Sequence, residues 1–121
     1  MHRRTLLIMA AAGVLVAPVA QADEALLKKH NCVACHQANG MGLPGNFPPL
    51  AGSKVVTGPT EEQIKLVLNG RKGVFTPTSM MPPQAGLSDV EIAAVITFTR
   101  NNWANKTGDM VTPSDVKASR K

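Results

Sequence analysis

Large aromatic side chains are nearly absent from this 121-residue chain: three Phe, one Trp and no Tyr, 3% of the residues, although 44% are apolar. A core with so few rings is short of bulky fillers, so the composition alone calls for something other than side chains at its centre. Only two cysteines occur, which excludes the two Cys pairs on which most structural zinc sites rest. Charged residues are few as well, 17%. With no long run of like charge and no basic stripe interleaved with aromatics, nothing points to nucleic acid as a partner. No apolar run reaches the roughly 20 residues needed to span a bilayer. The length allows one domain around one small core.

The longest apolar stretch covers 6–17. It follows a basic start of His2, Arg3 and Arg4 and precedes the small-residue pattern Ala20-Gln21-Ala22 and an acidic pair. That order has the form of a secretory signal peptide over 1–22, so the mature chain is expected to begin at Asp23, soluble in the periplasm and without an integral membrane span. Removing Arg3 and Arg4 leaves 11 basic residues against 8 acidic ones, a net charge of +3 in place of +5. Such mild basicity suits brief docking to an acidic partner, and equally an ordinary solvated surface.

Residues 23–31 favour a first helix, with Asp23 and Glu24 at the positive end of its dipole and Leu26 and Leu27 on an apolar side. The stretch 40–59 turns to Gly, Pro, Asn and Ser around Phe47 and Leu50, an irregular loop held by a few buried anchors. Thr60 with Gln63 has the form of a capping box, and Ile64, Val67 and Leu68 then share one helical face until Gly70. Residues 73–86 carry three prolines and no helical period. Ser88 with Glu91 opens another capping box, after which Ile92, Val95, Ile96, Thr99 and Trp103 recur at three- and four-residue intervals along a longer helix. No segment reads as a strand. The expected division is a domain over 23–105 and a polar C-terminal extension over 106–121, with at most a short helix within 114–120.

Both cysteines lie in Cys32-Val33-Ala34-Cys35-His36, the C-x-x-C-H pattern of covalent haem attachment. Two thiols separated by two residues both reach one edge of a porphyrin and add to its vinyl groups as thioethers. His36, directly afterwards, swings its imidazole under the iron as the proximal ligand. The competing chemistries of a C-x-x-C pair fit less well. Zinc needs four ligands, and the mature chain adds only His30. A thioredoxin-like pair expects strands around it and a cysteine at a helix start. A plain disulfide across so short a loop is geometrically poor. One haem c, a large flat apolar body, also answers the shortage of aromatics.

The second axial ligand decides what the iron does. The mature methionines are Met41, Met80, Met81 and Met110. Met41 follows His36 too closely to leave the proximal side, and Met110 lies beyond the last long helix. Met80 and Met81 precede Pro82 and Pro83 some 45 residues after His36, enough chain to cross to the opposite haem face. Met81 is the first choice, because the proline directly after it stiffens the loop, and Met80 is the second. A His/Met pair raises the reduction potential and closes the iron to oxygen and peroxide. The expected role is therefore a one-electron carrier and not an enzyme; a peroxide-handling distal side has Arg71 alone to draw on.

The order C-V-A-C-H (32–36), G-N-F-P-P-L-A-G-S (45–53), N-G-R-K-G (69–73), M-M-P-P-Q (80–84) and L-S-D-V-E-I-A-A-V-I-T-F-T-R-N-N-W (87–103) resembles the class I cytochrome c family. It is most similar to the small bacterial members that serve, free or fused, respiratory oxidases and periplasmic dehydrogenases. The resemblance implies an all-α fold, three to five helices wrapped around one covalently bound haem, with the first and last helices crossing near one haem edge. It implies a proline carbonyl, from Pro48 or secondly Pro49, accepting the His36 ring N–H, and a haem pocket lined by Leu50, Ile64, Leu68 and Phe98. Trp103 is expected as core packing. Where many relatives carry Gly and an aromatic in the first helix, this chain has Ala25 and Leu27, which implies a looser crossing. The partners implied are redox proteins: a dehydrogenase or quinol-oxidising complex as donor, and an oxidase or reductase as acceptor. The chain is then a monomer, or a dedicated cytochrome subunit of a periplasmic oxidoreductase complex.

Overall fold

The computed structural model describes Gly13, residues 19–74 and residues 76–120; the expected leader falls largely outside them, as does Phe75. Among the described residues the chain is mostly helical, in the order α1 (Val19–Lys29), α2 (Cys32–His36), α3 (Lys54–Thr57), α4 (Thr60–Asn69), α5 (Asp89–Asn101) and α6 (Pro113–Ser119). That is one helical segment more than three to five, because the tail supplies α6. A small antiparallel ladder, β1 (Arg71–Lys72) with β2 (Met80–Met81), pairs Arg71 with Met81 and Lys72 with Met80. Strands of two residues carry no alternation, which is why periodicity misses them. None of the described helices is long and apolar enough to cross a membrane.

The longest described helix of the domain, α5, is the spine. Ser88 accepts the Glu91 N–H at its start (3.1 Å), with Asp89 and Glu91 in the first turn and Arg100 in the last, all favourable to the helix dipole. Its apolar stripe is buried on both flanks. On one flank α1 packs against it: Leu27, 1% exposed, joins Val95 and Phe98, with Trp103 alongside. Ala25 lies exposed, so the contact rests on Leu27, and full burial there gives no sign of looseness. The His30 ring nitrogen Nε2 meets the Glu91 carboxylate and ties the end of α1 to the start of α5.

Helix α4 does not use the capping box its sequence offers. Pro59 holds the N-cap position without a side-chain bond, and Gln63 turns inward to donate Nε2 to Thr99 Oγ1 at 2.8 Å. A buried amide bonded to two neighbours outweighs a solvent-facing cap.

The extension over 106–121 is not a loose polar tail. Val111 and Val116 are buried with Ile64, Leu68, Ile92, Ala93 and Ile96 in one cluster. A capping box, Thr112 with Asp115, starts α6. Polar residues thus carry the tail's surface, and two valines anchor it.

Candidate functional site

The five-residue helix α2 is framed by left-handed backbone: Asn31 (φ 60°, ψ 17°) before it and Gln37 (φ 64°, ψ 159°) after it. Held as one tight turn, Cys32, Cys35 and His36 all line a cavity of about 500 Å³. Both cysteines are half-buried, and burial pushes the Cys32 thiol up. The His36 ring is buried and donates from Nδ1 to the Pro48 carbonyl at 2.9 Å. A carbonyl only accepts, so the proton sits on Nδ1 and the lone pair is on Nε2, the tautomer that binds a metal.

Gly42 makes that bond possible. It adopts φ +63°, and a Cβ on it would run into the backbone of Phe47 and Pro48. Its own N–H donates to the His36 carbonyl at 2.9 Å, and Leu43 N–H to the Phe47 carbonyl at 2.9 Å. Beyond Pro48, Leu50 N–H donates to the Gly40 carbonyl at 2.7 Å, so the loop is tied back on both sides of Pro48.

Another part of the lining comes from the β1–β2 ladder and the chain after it, through Arg71, Met80, Met81, Pro82 and Gln84. Gly70 ends α4 at φ 72°, ψ −176°, a region open essentially to glycine alone; a Cβ there would strike the Met81 carbonyl. Gln84 N–H then donates to the Val67 carbonyl at 2.9 Å and pins the segment after Pro83 to α4. Met80 and Met81 both touch the cavity. Neighbours in a strand point to opposite sides, and Met80 is 53% exposed whereas Met81 is half-buried.

Pro48, Pro49 and Leu50 line the cavity; Ile64, Leu68 and Phe98 do not. Ile64 and Leu68 are buried instead in the cluster that holds Val111 and Val116. Phe98 belongs to the α1 contact and meets Trp103 edge-on, ring centroids 5.3 Å apart. Trp103 packs as expected and donates its indole N–H to the Ala38 carbonyl at 3.0 Å. The cavity face of α4 is Gln63, Leu66 and Val67, and that of α5 includes Val95, Ile96 and Thr99. A signal for the former exists: Gln63, Leu66 and Gly70 recur at helical spacing beside the Ile64 stripe, and Val67 belongs to both.

The residues present fit haem. Two thiols, an imidazole and a thioether border one cavity, and apolar side chains from α4 and α5 complete its lining. Cys32 and Cys35 would hold the macrocycle, and His36 and Met81 its iron. When bound, haem supplies an iron that alternates between ferric and ferrous states.

Comparison with known proteins agrees. A family model for cytochrome c matches residues 21–103. The chain is 38% identical over 112 residues to cytochrome c-552 of Thermus thermophilus, covering 85% of this chain and 74% of that one. It is 36% identical over 99 residues to the cytochrome c subunit of a quinone-type alcohol dehydrogenase from Gluconobacter oxydans. It is also 34% identical over 98 residues to the gluconate 2-dehydrogenase cytochrome c subunit of Pantoea cypripedii. These two matches cover 75% of this chain each, but only 20% and 22% of the subunits, so the chain spans about a fifth of the dehydrogenase subunits it matches. On the match over 21–103 and the likeness to cytochrome c-552, the chain belongs to the cytochrome c family, whose members carry haem c covalently.

Proposed function

We propose that this chain is an exported one-electron carrier of the periplasm, in which Cys32 and Cys35 attach one haem c and His36 and Met81 are its axial ligands. The observation that carries the reading is the His36 Nδ1 to Pro48 carbonyl bond, 2.9 Å. It leaves the lone pair on Nε2, and His36 and Met81 line the same cavity. The carbonyl also raises the basicity of the imidazole and fixes its plane. The lower exposure of Met81 supports it over Met80 as the thioether donor. Residues 1–22 act as the leader, 23–105 hold the haem, and 106–121 close the fold.

The donor is a dehydrogenase or a quinol-oxidising complex, and the acceptor an oxidase or a reductase. Lys54, Arg71 and Lys72 are exposed and suited to steering brief encounters with acidic surfaces. Lys28 and Lys29 are less free to do so, being paired with Glu24 and Glu91 at 3.4 and 4.0 Å. The names of the dehydrogenase-subunit relatives favour a second reading, in which the chain is the dedicated cytochrome of one periplasmic dehydrogenase; it would then co-elute with that enzyme from native periplasm.

An optical spectrum of the periplasmically matured protein tests the central reading. The weak far-red band of methionine on ferric iron is expected, and is expected to vanish in Met81→Ala while persisting in Met80→Ala. A five-coordinate iron that binds carbon monoxide readily would overturn it.

A further inference from the structure

Behind the haem wall lies a buried cation. Arg100, on the last turn of α5, is 2% exposed. Its Nη1 donates to the Val56 carbonyl (2.6 Å) and Gln63 Oε1 (3.1 Å). Its Nη2 donates to the Gly58 carbonyl (2.6 Å) and Asp109 Oδ2 (2.5 Å), and Nε to the same carboxylate oxygen (3.2 Å). Every partner but one is neutral. That one, Asp109, comes from the tail and is 45% exposed on its side chain, so water screens much of its compensation.

Val56 and Gln63 both line the cavity. The guanidinium is therefore one side chain behind the wall. Gln63 turns its Oε1 to the cation and its Nε2 to Thr99 Oγ1, a further lining residue. The amide dipole carries its positive end away from Arg100, in the same sense as the charge itself. Positive potential at the wall favours the state holding one more electron, and low polarisability in the interior keeps that effect large.

We propose that Arg100 is a positioning residue that raises the reduction potential of the haem, and that Asp109 is the counter-charge by which the tail moderates it. The inference rests on the haem reading of the cavity. The step it tunes is the addition of a single electron, from a donor redox protein, to ferric iron to give ferrous iron; no bond is made or broken. The Arg100 guanidinium holds the Asp109 carboxyl below the usual carboxylate range.

A clamp that merely joins the α3–α4 turn to α5 and the tail would leave the potential unmoved, and that separates the two roles. The experiment is voltammetry of the holoprotein at an electrode that supplies and removes the electron, each sample first checked for an intact methionine band. Asp109→Asn leaves Arg100 its three neutral acceptors and should raise the midpoint potential. Arg100→Gln should lower it. Asp89→Asn, at the opposite end of α5, should leave it at the wild-type value. If Arg100→Gln fails to mature, Asp109→Asn decides alone. A midpoint for Asp109→Asn at or below wild type, or a rise in Asp89→Asn equal to it, overturns the inference. A wild-type protein without haem overturns the haem reading itself, which is a distinguishable failure.

Discussion

The two sides of α5 are finished by different means. On the tail side the chain supplies its own core: Val111 and Val116 close over Ile64, Leu68 and Ala93, and over Ile92 and Ile96, which border the cavity as well. Polar clamps hold that closure at both ends. Arg100 takes Asp109, and Arg120 takes Asp89 Oδ1, the Ala85 carbonyl and the Leu87 carbonyl at 2.6, 2.7 and 2.6 Å. On the other side, proline- and glycine-bearing loops stand around a cavity of about 500 Å³, and its rim includes the exposed Met80 and Val74. A chain of this size with so few aromatics builds one half of a core well and shapes the other half to a prosthetic group. The haem is then a structural element as much as a redox centre, and the tail is what the remaining half requires to stand by itself.

The largest test of that asymmetry removes the attachment. In Cys32→Ala/Cys35→Ala, amide hydrogen exchange across 37–53 and 71–84 should accelerate by roughly a hundredfold or more relative to the holoprotein, while α5 and α6 lose distinctly less. Equal loss on both sides would mean a single cooperative unit, and the comparison would fail.

A pair of single substitutions sharpens it. Val116→Ala, at a fully buried position, removes packing on the tail side and should cost about 2 kcal/mol in denaturant unfolding of the holoprotein. Its spectrum should be unchanged. Gly70→Ala forces a side chain into a glycine-only conformation for about 1–3 kcal/mol and drives its Cβ at the Met81 carbonyl. That variant should weaken the methionine band as well. Loss of the band in Val116→Ala, or its full retention in Gly70→Ala, would show that the two sides do not divide as described.

The same asymmetry decides how much was legible in the sequence. Covalent attachment chemistry is local, so five consecutive residues announce it, and Ser88 with the α5 stripe marks the spine equally well. What the sequence hides depends on competition between distant segments. Ile64 and Leu68 are apolar at helical spacing and read as haem-facing, yet the tail valines claim them and turn Gln63, Leu66 and Val67 to the cavity. Phe98 goes to Leu27 and Trp103 for the same reason. Gln63 looks like a capping residue until Arg100 and Thr99 are placed beside it. The tail reads as polar because only two of its positions, Val111 and Val116, carry its burial, too few for a periodic signal.

The smallest effect is in acid. Glu91, at the tie between α1 and α5, is held below the usual carboxylate range by the His30 bond first and by Ser88 second. Asp115 on the tail side is held below it by the Thr112 backbone N–H (2.9 Å) and then its hydroxyl. A carboxyl whose folded pKa is depressed contributes stability that is present above its unfolded pKa and lost as pH falls through the folded one. The window thus opens near the unfolded carboxylate values, about pH 4, and extends below them. Asp115 is exposed and Glu91 is partly so, so water and salt screen both and each contribution is small. In urea unfolding of the holoprotein, Asp115→Asn should be less stable than wild type at neutral pH, with the deficit shrinking as pH drops below about 4. Glu91→Gln should behave alike, and in that variant the loss should be shared by α1, which the tie to His30 holds. A deficit constant from pH 7 to pH 3 would mean that neither carboxylate is ionised to any advantage in the folded state. The cap and the α1 tie would then be acting through shape alone.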